Sequence, residues 1–280
     1  MLRRHAIAAL LAGAAPLRAQ KGLATVVVDV PSRQLIAVEG AELASSALLP
    51  PGSTIKPFAL AALLEAGKLR DADTYYCPGT LMLDGRPVVC AHPPLGEPVR
   101  VRTALAYSCN CFVANAAARF QPGELAIALA RFGLASHTGW FGEAEAAGQV
   151  ARADVRAISQ LQAIGEANVL VTPGGLAAAY RRLALSLGRR GMESILAGME
   201  DAVEFGTAQK AKVEGLKVAG KTGSIRAADG APVAWFAGFA PSRAPKIAVV
   251  VMVQAKSGGS DAAPVAARIL GHYAGHLPPA

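Results

Sequence analysis

A chain of 280 residues is long enough to bury one large core, and with 52% hydrophobic and 17% charged residues it is not a disordered one. Its formal net charge of +8 is scattered, with no block of five or more like charges. That argues against nucleic-acid binding and suits an exported protein working beside an anionic polymer.

Residues 1–19 have the form of an export signal. Arg3, Arg4 and His5 make a basic start, Ala6 to Ala15 is apolar, and small residues follow to Ala14 or Ala19. The apolar run is shorter than the roughly 20 residues that span a bilayer. The expectation is an exported protein, in the periplasm or on the outer face of the bacterial cytoplasmic membrane, with residues 20–280 as one catalytic domain.

The β-branched run from Leu23 to Val30, a turn at Pro31-Ser32-Arg33-Gln34 and the run from Leu35 to Val38 predict a β-hairpin. Pro50-Pro51-Gly52 breaks the chain and places Ser53 at the start of a helix that Gly67 ends. Between 99 and 206 the pattern is helical, with segments at 105–120, 125–132, 155–164, 176–187 and 195–203 separated by Gly and Pro. Ser108 falls where one helix, ending near Tyr107, gives way to the next. The tail returns to strands: 217–220 leading into Lys221, then 234–240 and 247–253 joined by Pro241-Ser242-Arg243-Ala244-Pro245. Residues 262–275 predict a last helix. Strands at both ends with helices between them imply an α+β domain, one sheet from the chain ends and a helical subdomain inserted.

Three short motifs occur in order: Ser53-Thr54-Ile55-Lys56, Ser108-Cys109-Asn110 and Lys221-Thr222-Gly223-Ser224. Ser53 and Lys56, three apart at a helix start, can share one face, so an amine can lie beside a hydroxyl nucleophile. That amine is a base only when neutral, which burial and a second cation, Lys221, would favour. The Ser108 hydroxyl can relay a proton to a leaving amine, and the Asn110 amide can hold Lys56 and a substrate carbonyl. Lys221 and Thr222 can bind a carboxylate. Gly223 leaves room for an extended substrate along a strand edge. The backbone N–H groups of Ser53 and Ser224 can form an oxyanion hole. Each motif alone also reads as a helix cap or a solvated strand end; together they point to acyl transfer.

Four cysteines remain. In an exported protein Cys77 and Cys90 read as a disulfide across the turn-like Leu83-Asp84-Gly85-Arg86-Pro87. Cys109 and Cys111 read as small buried residues at a helix start. A zinc site is the disfavoured alternative, because C-x-x-C spacing is missing and only His92 lies nearby; no metal and no cofactor is expected.

The chain resembles the penicillin-binding proteins, in the serine DD-peptidase and β-lactamase superfamily. The resemblance rests on Pro51-Gly52-Ser53-Thr54-Ile55-Lys56-Pro57, Tyr107-Ser108-Cys109-Asn110, Val171-Thr172-Pro173, Phe205-Gly206-Thr207-Ala208, Val218 to Ser224 and Trp235 to Pro241. It covers about residues 22–275 and implies an antiparallel sheet carrying helices, with the site between sheet and helical subdomain. It also implies that Ser53 is acylated by peptidoglycan stem peptides ending in D-Ala-D-Ala and by β-lactams, with cell-wall synthesis proteins as partners. Gly165-Glu166-Ala167-Asn168 departs from the family's usual Gly-rich stretch, and no N-terminal accessory domain is expected.

A DD-transpeptidase is the leading expectation and a DD-carboxypeptidase, which passes the acyl group to water, the alternative. A β-lactamase would need a water activator, for which Glu166 and Glu143 are the available acids in an unsuitable context. A non-catalytic sensor would need a transmembrane link to a signalling part, and a scaffold would be expected to have lost Ser53, Lys56 or Lys221, all three of which are present.

Overall fold

The computed structural model describes residues 22–275, so the export-signal expectation for 1–19 lies outside the described residues. In chain order the elements are β1 (Ala24–Asp29), β2 (Leu35–Glu39), α1 (Ala41–Ser46), α2 (Lys56–Glu65), β3 (Thr80–Leu83), β4 (Arg86–Val89), α3 (Val101–Ala106), α4 (Asn110–Ala117), α5 (Glu124–Arg131), β5 (Gln149–Val150), α6 (Arg156–Ala163), β6 (Val169–Leu170), α7 (Pro173–Ser186), α8 (Glu193–Glu204), β7 (Ala219–Arg226), β8 (Pro232–Ala240), β9 (Ile247–Val253) and α9 (Ala263–Ala274). A 3₁₀ turn, Gly52–Ile55, runs directly into α2.

The two chain ends do form one sheet. Its order is β2-β1-β9-β8-β7, antiparallel throughout, with β1 paired to β9 from Ala24↔Met252 to Asp29↔Ile247. Val26, Val28, Trp235, Ala237, Phe239 and Val250 point into the larger core, against α7, and α2 and α4 belong to the same core. Val27, Ala234, Phe236, Val249 and Val251 point into a second core under α9. Burial on both faces explains why β8 and β9 read as unbroken apolar runs rather than alternating ones.

Helix α2 is buried over its first eight residues, Lys56 to Leu63, the pattern of a central helix that is apolar all round. Phe58 on α2 packs edge-on against Phe132 and against Tyr180 of α7, with ring centres 5.0 and 5.2 Å apart. Thr172 caps α7 by accepting from the Gly175 N–H, with Pro173 in its first turn. One residue earlier, Val171 exchanges two backbone hydrogen bonds with Leu49, which ties the Thr-Pro segment to the strand-like approach to Ser53.

The 105–120 run is two helices that meet at the expected Ser108 junction, where the backbone is left-handed (φ 58°). The stretch around Asp84-Gly85 is a complete hairpin, β3–β4, whose two-residue turn has both residues at positive φ.

Candidate active site

The Ser53 turn is anchored by its own carbonyls. Trp235 Nε1–H donates to Pro50 O (3.2 Å), the Thr54 hydroxyl to Pro51 O (2.7 Å) and the Tyr180 hydroxyl to Thr54 O (2.7 Å). Burial pushes the Tyr180 phenol's pKa up, so it stays a neutral donor. Gly52 has φ 52°, and a Cβ there would meet Ile225 Cγ2 of β7 at 2.5 Å. The same approach explains Gly223. A Cβ at that position would lie 2.9 Å from Pro51 O and 3.2 Å from Thr54 Cγ2. Gly223 therefore lets the Ser53 turn lie against β7, whereas the sequence reading assigned its room to substrate. Strand β7 does stand at the sheet's edge.

Ser108 closes α3. Cys109 N–H bonds to Ala104 O and Ser108 N–H to Leu105 O, which is a Schellman arrangement with Ser108 in the position that glycine normally fills. A β-substituted residue there costs about 1 kcal/mol or more, a strain associated with functional sites. The N-cap of α4 is Cys109, whose Sγ accepts from the Phe112 N–H; the reading of Ser108 as an N-cap serine does not hold.

This turn brings the three motifs together. The Lys56 amine donates to Ser108 O (2.7 Å), Ser108 Oγ (3.1 Å) and Asn110 Oδ1. The Lys221 amine donates to the same Ser108 Oγ (2.8 Å) and to Thr222 O (3.1 Å). Both lysines are fully buried. Burial lowers the Lys56 pKa to about 8, the nearby Cys109 and Cys90 thiols and Glu166 opposing it. Burial and then the charge of Lys56 hold Lys221 well below the ordinary lysine range. The sequence reading had burial and Lys221 both acting on Lys56; in the structure burial governs Lys56, and the repulsion falls on Lys221. Among the described residues no hydrogen bond joins Ser53 Oγ to Lys56, because the amine is turned toward Ser108 and Asn110.

Ser53, Ser108, Asn110, Thr222, Gly223 and Ser224 line one cleft of about 620 Å³. Its wall includes residues the motif reading did not assign. Thr207 Oγ1 accepts from Thr222 Oγ1 at 3.2 Å, Ser224 Oγ accepts from the Gly258 N–H at 3.0 Å, and Tyr107 and Phe205 form a tilted ring pair. The Phe205-Gly206-Thr207 run carried that signal in the sequence; the Ser257–Gly258 turn carried none. Glu166 pairs with Arg86 at 2.5 Å in an adjoining depression of about 530 Å³ that shares Ser224 with the cleft.

The family model described as the penicillin binding protein transpeptidase domain matches residues 23–271. The chain belongs to this family. It is 28% identical over 278 aligned residues to the peptidoglycan D,D-transpeptidase PbpA of Mycobacterium tuberculosis, in two strains. That alignment takes in 81% of this chain and 55% of PbpA, so the chain spans about half the length of the curated relatives it matches. Among solved structures, Pseudomonas aeruginosa PBP2 in complex with WCK 5153 superposes with a TM-score of 0.80 at 22% identity, covering 95% of this chain and 72% of that one. The transpeptidase domain of Burkholderia pseudomallei penicillin-binding protein 3 gives 0.81 at 22%, covering 93% and 90%. These likenesses bear out the α+β fold with its inserted helical region.

The cysteines behave differently from expectation. All four are free thiols, and the Cys77 and Cys90 sulfurs lie 3.6 Å apart, unbonded. Cys109 and Cys111 are buried at the start of α4, as expected, but both face Cys90.

Proposed function

We propose that this chain is the acyl-transfer unit of a D,D-transpeptidase that acts on peptidoglycan stem peptides ending in D-Ala-D-Ala, and that β-lactams acylate it at Ser53. The observation that carries this reading is the Ser108 hydroxyl held between two buried lysines, in a cleft that also holds Ser53.

Ser53 Oγ attacks the carbonyl of the penultimate D-Ala, forming a C–O bond as its proton passes to the neutral Lys56 amine. The Ser108 hydroxyl, in contact with both lysines, relays a proton to the departing nitrogen, so the C–N bond breaks and D-Ala leaves as an amine. The backbone N–H groups of Ser53 and Ser224 receive the oxyanion, a donor of this kind contributing about 10²–10³ in rate. Lys221, Thr222 and Ser224 receive the terminal carboxylate, and Asn110 the side of the stem peptide. An amine from a second strand then takes the acyl group. The relatives named as D,D-transpeptidases support the transferase over the carboxypeptidase reading. The Arg86 partnership of Glu166 speaks against its activating water as in a β-lactamase. On this reading residues 1–19 direct export, 20–280 work outside the cytoplasm, and cell-wall synthesis proteins supply the glycan strands.

A fluorescent penicillin tests it. The protein should form a long-lived adduct that the Ser53→Ala variant lacks. No adduct sinks the proposal, and an adduct lost within seconds makes the protein a β-lactamase. Mass spectrometry of a stem pentapeptide incubated with an amine acceptor then distinguishes the transferred product from the hydrolysed one.

A further inference from the structure

We propose that Cys77, Cys90, His92 and Cys109 form a closed four-coordinate site for a thiophilic divalent metal of the zinc class, which fastens the β3–β4 hairpin to the Ser108 turn. The three sulfurs and the His92 nitrogen all lie within 4.8 Å of one another. Cys90 Sγ lies 3.6 Å from Cys77 Sγ and 3.8 Å from Cys109 Sγ, and Cys77 Sγ lies 3.8 Å from His92 Nε2. A tetrahedral zinc thiolate with Zn–S bonds near 2.3 Å has S···S edges of about 3.8 Å, so these separations are already those of a coordination shell. A disulfide would join two of these sulfurs and leave the other donors converging on nothing.

The surroundings fit ligands as well. His92 Nδ1 lies 2.8 Å from Pro93 O, and a carbonyl only accepts, so the ring proton sits on Nδ1. The Nε2 lone pair is thereby left facing Cys77, the arrangement by which a backbone carbonyl orients a metal-bound imidazole. Each of the three sulfurs also accepts a backbone N–H at 3.4 Å: Cys77 from Gly79, Cys90 from Cys111 and Cys109 from Phe112. Such donors stabilise thiolate charge. Cys111 Sγ lies 3.4 Å from Cys90 Sγ, but it is not part of the four-donor set, and its thiol turns to Val88 O at 3.9 Å. Binding displaces three thiol protons to solvent and leaves a site of net charge −1. With no open coordination position its role is to hold shape. Cys109 sits between Ser108 and Asn110, and Asn110 Nδ2 donates to Val89 O beside Cys90, so the metal would fix the turn that carries the relay hydroxyl. The sequence spacing argued against a metal because the donors come from a loop, a hairpin end and a helix cap that only folding unites.

The test uses the full chain, wild type and Ser53→Ala, so that metal content is read independently of acylation. Elemental mass spectrometry of protein isolated without chelator should find one zinc per chain in both. After metal removal by a mercurial reagent and chelator, Co²⁺ should restore one equivalent with thiolate charge-transfer and tetrahedral d–d absorption. Cys109→Ser and His92→Gln should lose that stoichiometry, and Cys111→Ser should keep it. Absence of metal together with absence of the cobalt spectrum overturns the proposal. So does a denatured mass lighter by two hydrogens per bridge, which would mean disulfides. Equal cobalt binding by wild type and His92→Gln overturns it too, as thiol binding without a built site. If the variants do not fold, zinc content and the cobalt spectrum of the wild-type chain decide alone.

Discussion

The Ser53 turn and the Ser108 turn face each other across the cleft, yet they are held by different physics. The first is a relaxed 3₁₀ turn clamped by the sheet and α7, through Trp235, Tyr180 and the close approach of Gly223. The second is a strained left-handed turn whose partners are polar or sulfur-bearing: two amines, Asn110 and the cysteines around Cys109. The Ser53 turn is thus positioned by the core of the domain, and the Ser108 turn by polar and sulfur partners drawn from α2, α4, β7 and the end of the β3–β4 hairpin. Damage to the first should register as a loss of stability and rate together, and damage to the second as a loss of rate without a loss of stability.

Replacing Lys56 with Ala should have the largest effect, because it empties the centre that both turns share. Penicillin acylation should fall by about 10²–10⁴, the usual worth of a positioned base, when measured by stopped-flow adduct formation. A wild-type rate would assign the base elsewhere. The pH profile comes next. Since only the neutral amine accepts a proton and the Lys56 pKa is lowered to about 8, acylation should climb about tenfold per pH unit below that value and level off above it. A flat profile between pH 6 and 9 would mean that Lys56 is neutral throughout.

Two substitutions separate the supports. Tyr180→Phe leaves the buried Thr54 carbonyl without its donor, which should cost about 1–3 kcal/mol in denaturant unfolding and slow acylation as well. Ser108→Gly removes both the hydroxyl and the left-handed strain. It should gain about 0.4–1 kcal/mol at most in stability while losing most of the acylation rate. If it destabilises instead, the Ser108 hydroxyl binds the lysines more tightly than the strain opposes it, and the contrast between the turns weakens.

How legible these features were follows from how local their causes are. The hairpin at 23–38, the strand pair 234–253 and the last helix announce themselves through β-branched runs, turn residues and apolar periodicity, all short-range signals. The motifs that meet in the cleft were legible because Ser-x-x-Lys, Ser-x-Asn and Lys-Thr-Gly each group functional side chains within a few positions. The break at Ser108 was visible only as a junction, since helix-favouring residues on both sides mask a serine at a glycine position. Thr222's partner Thr207 and Ser224's partner Gly258 are 15 and 34 residues away, and only folding brings them beside β7.

By itself, then, the amino-acid order determined the α+β class, the sheet built from both chain ends and the three motifs from which the nucleophile, base and relay are proposed. Each of these depends on propensity or on side-chain chemistry at fixed short spacing. Tertiary structure alone decided that burial, more than Lys221, lowers the Lys56 pKa, and that Gly223 serves the Ser53 turn. It also gathered Cys77, Cys90, His92 and Cys109 around one point. Desolvation, steric room and donor convergence are properties of a place in space, and no window along the chain contains that place.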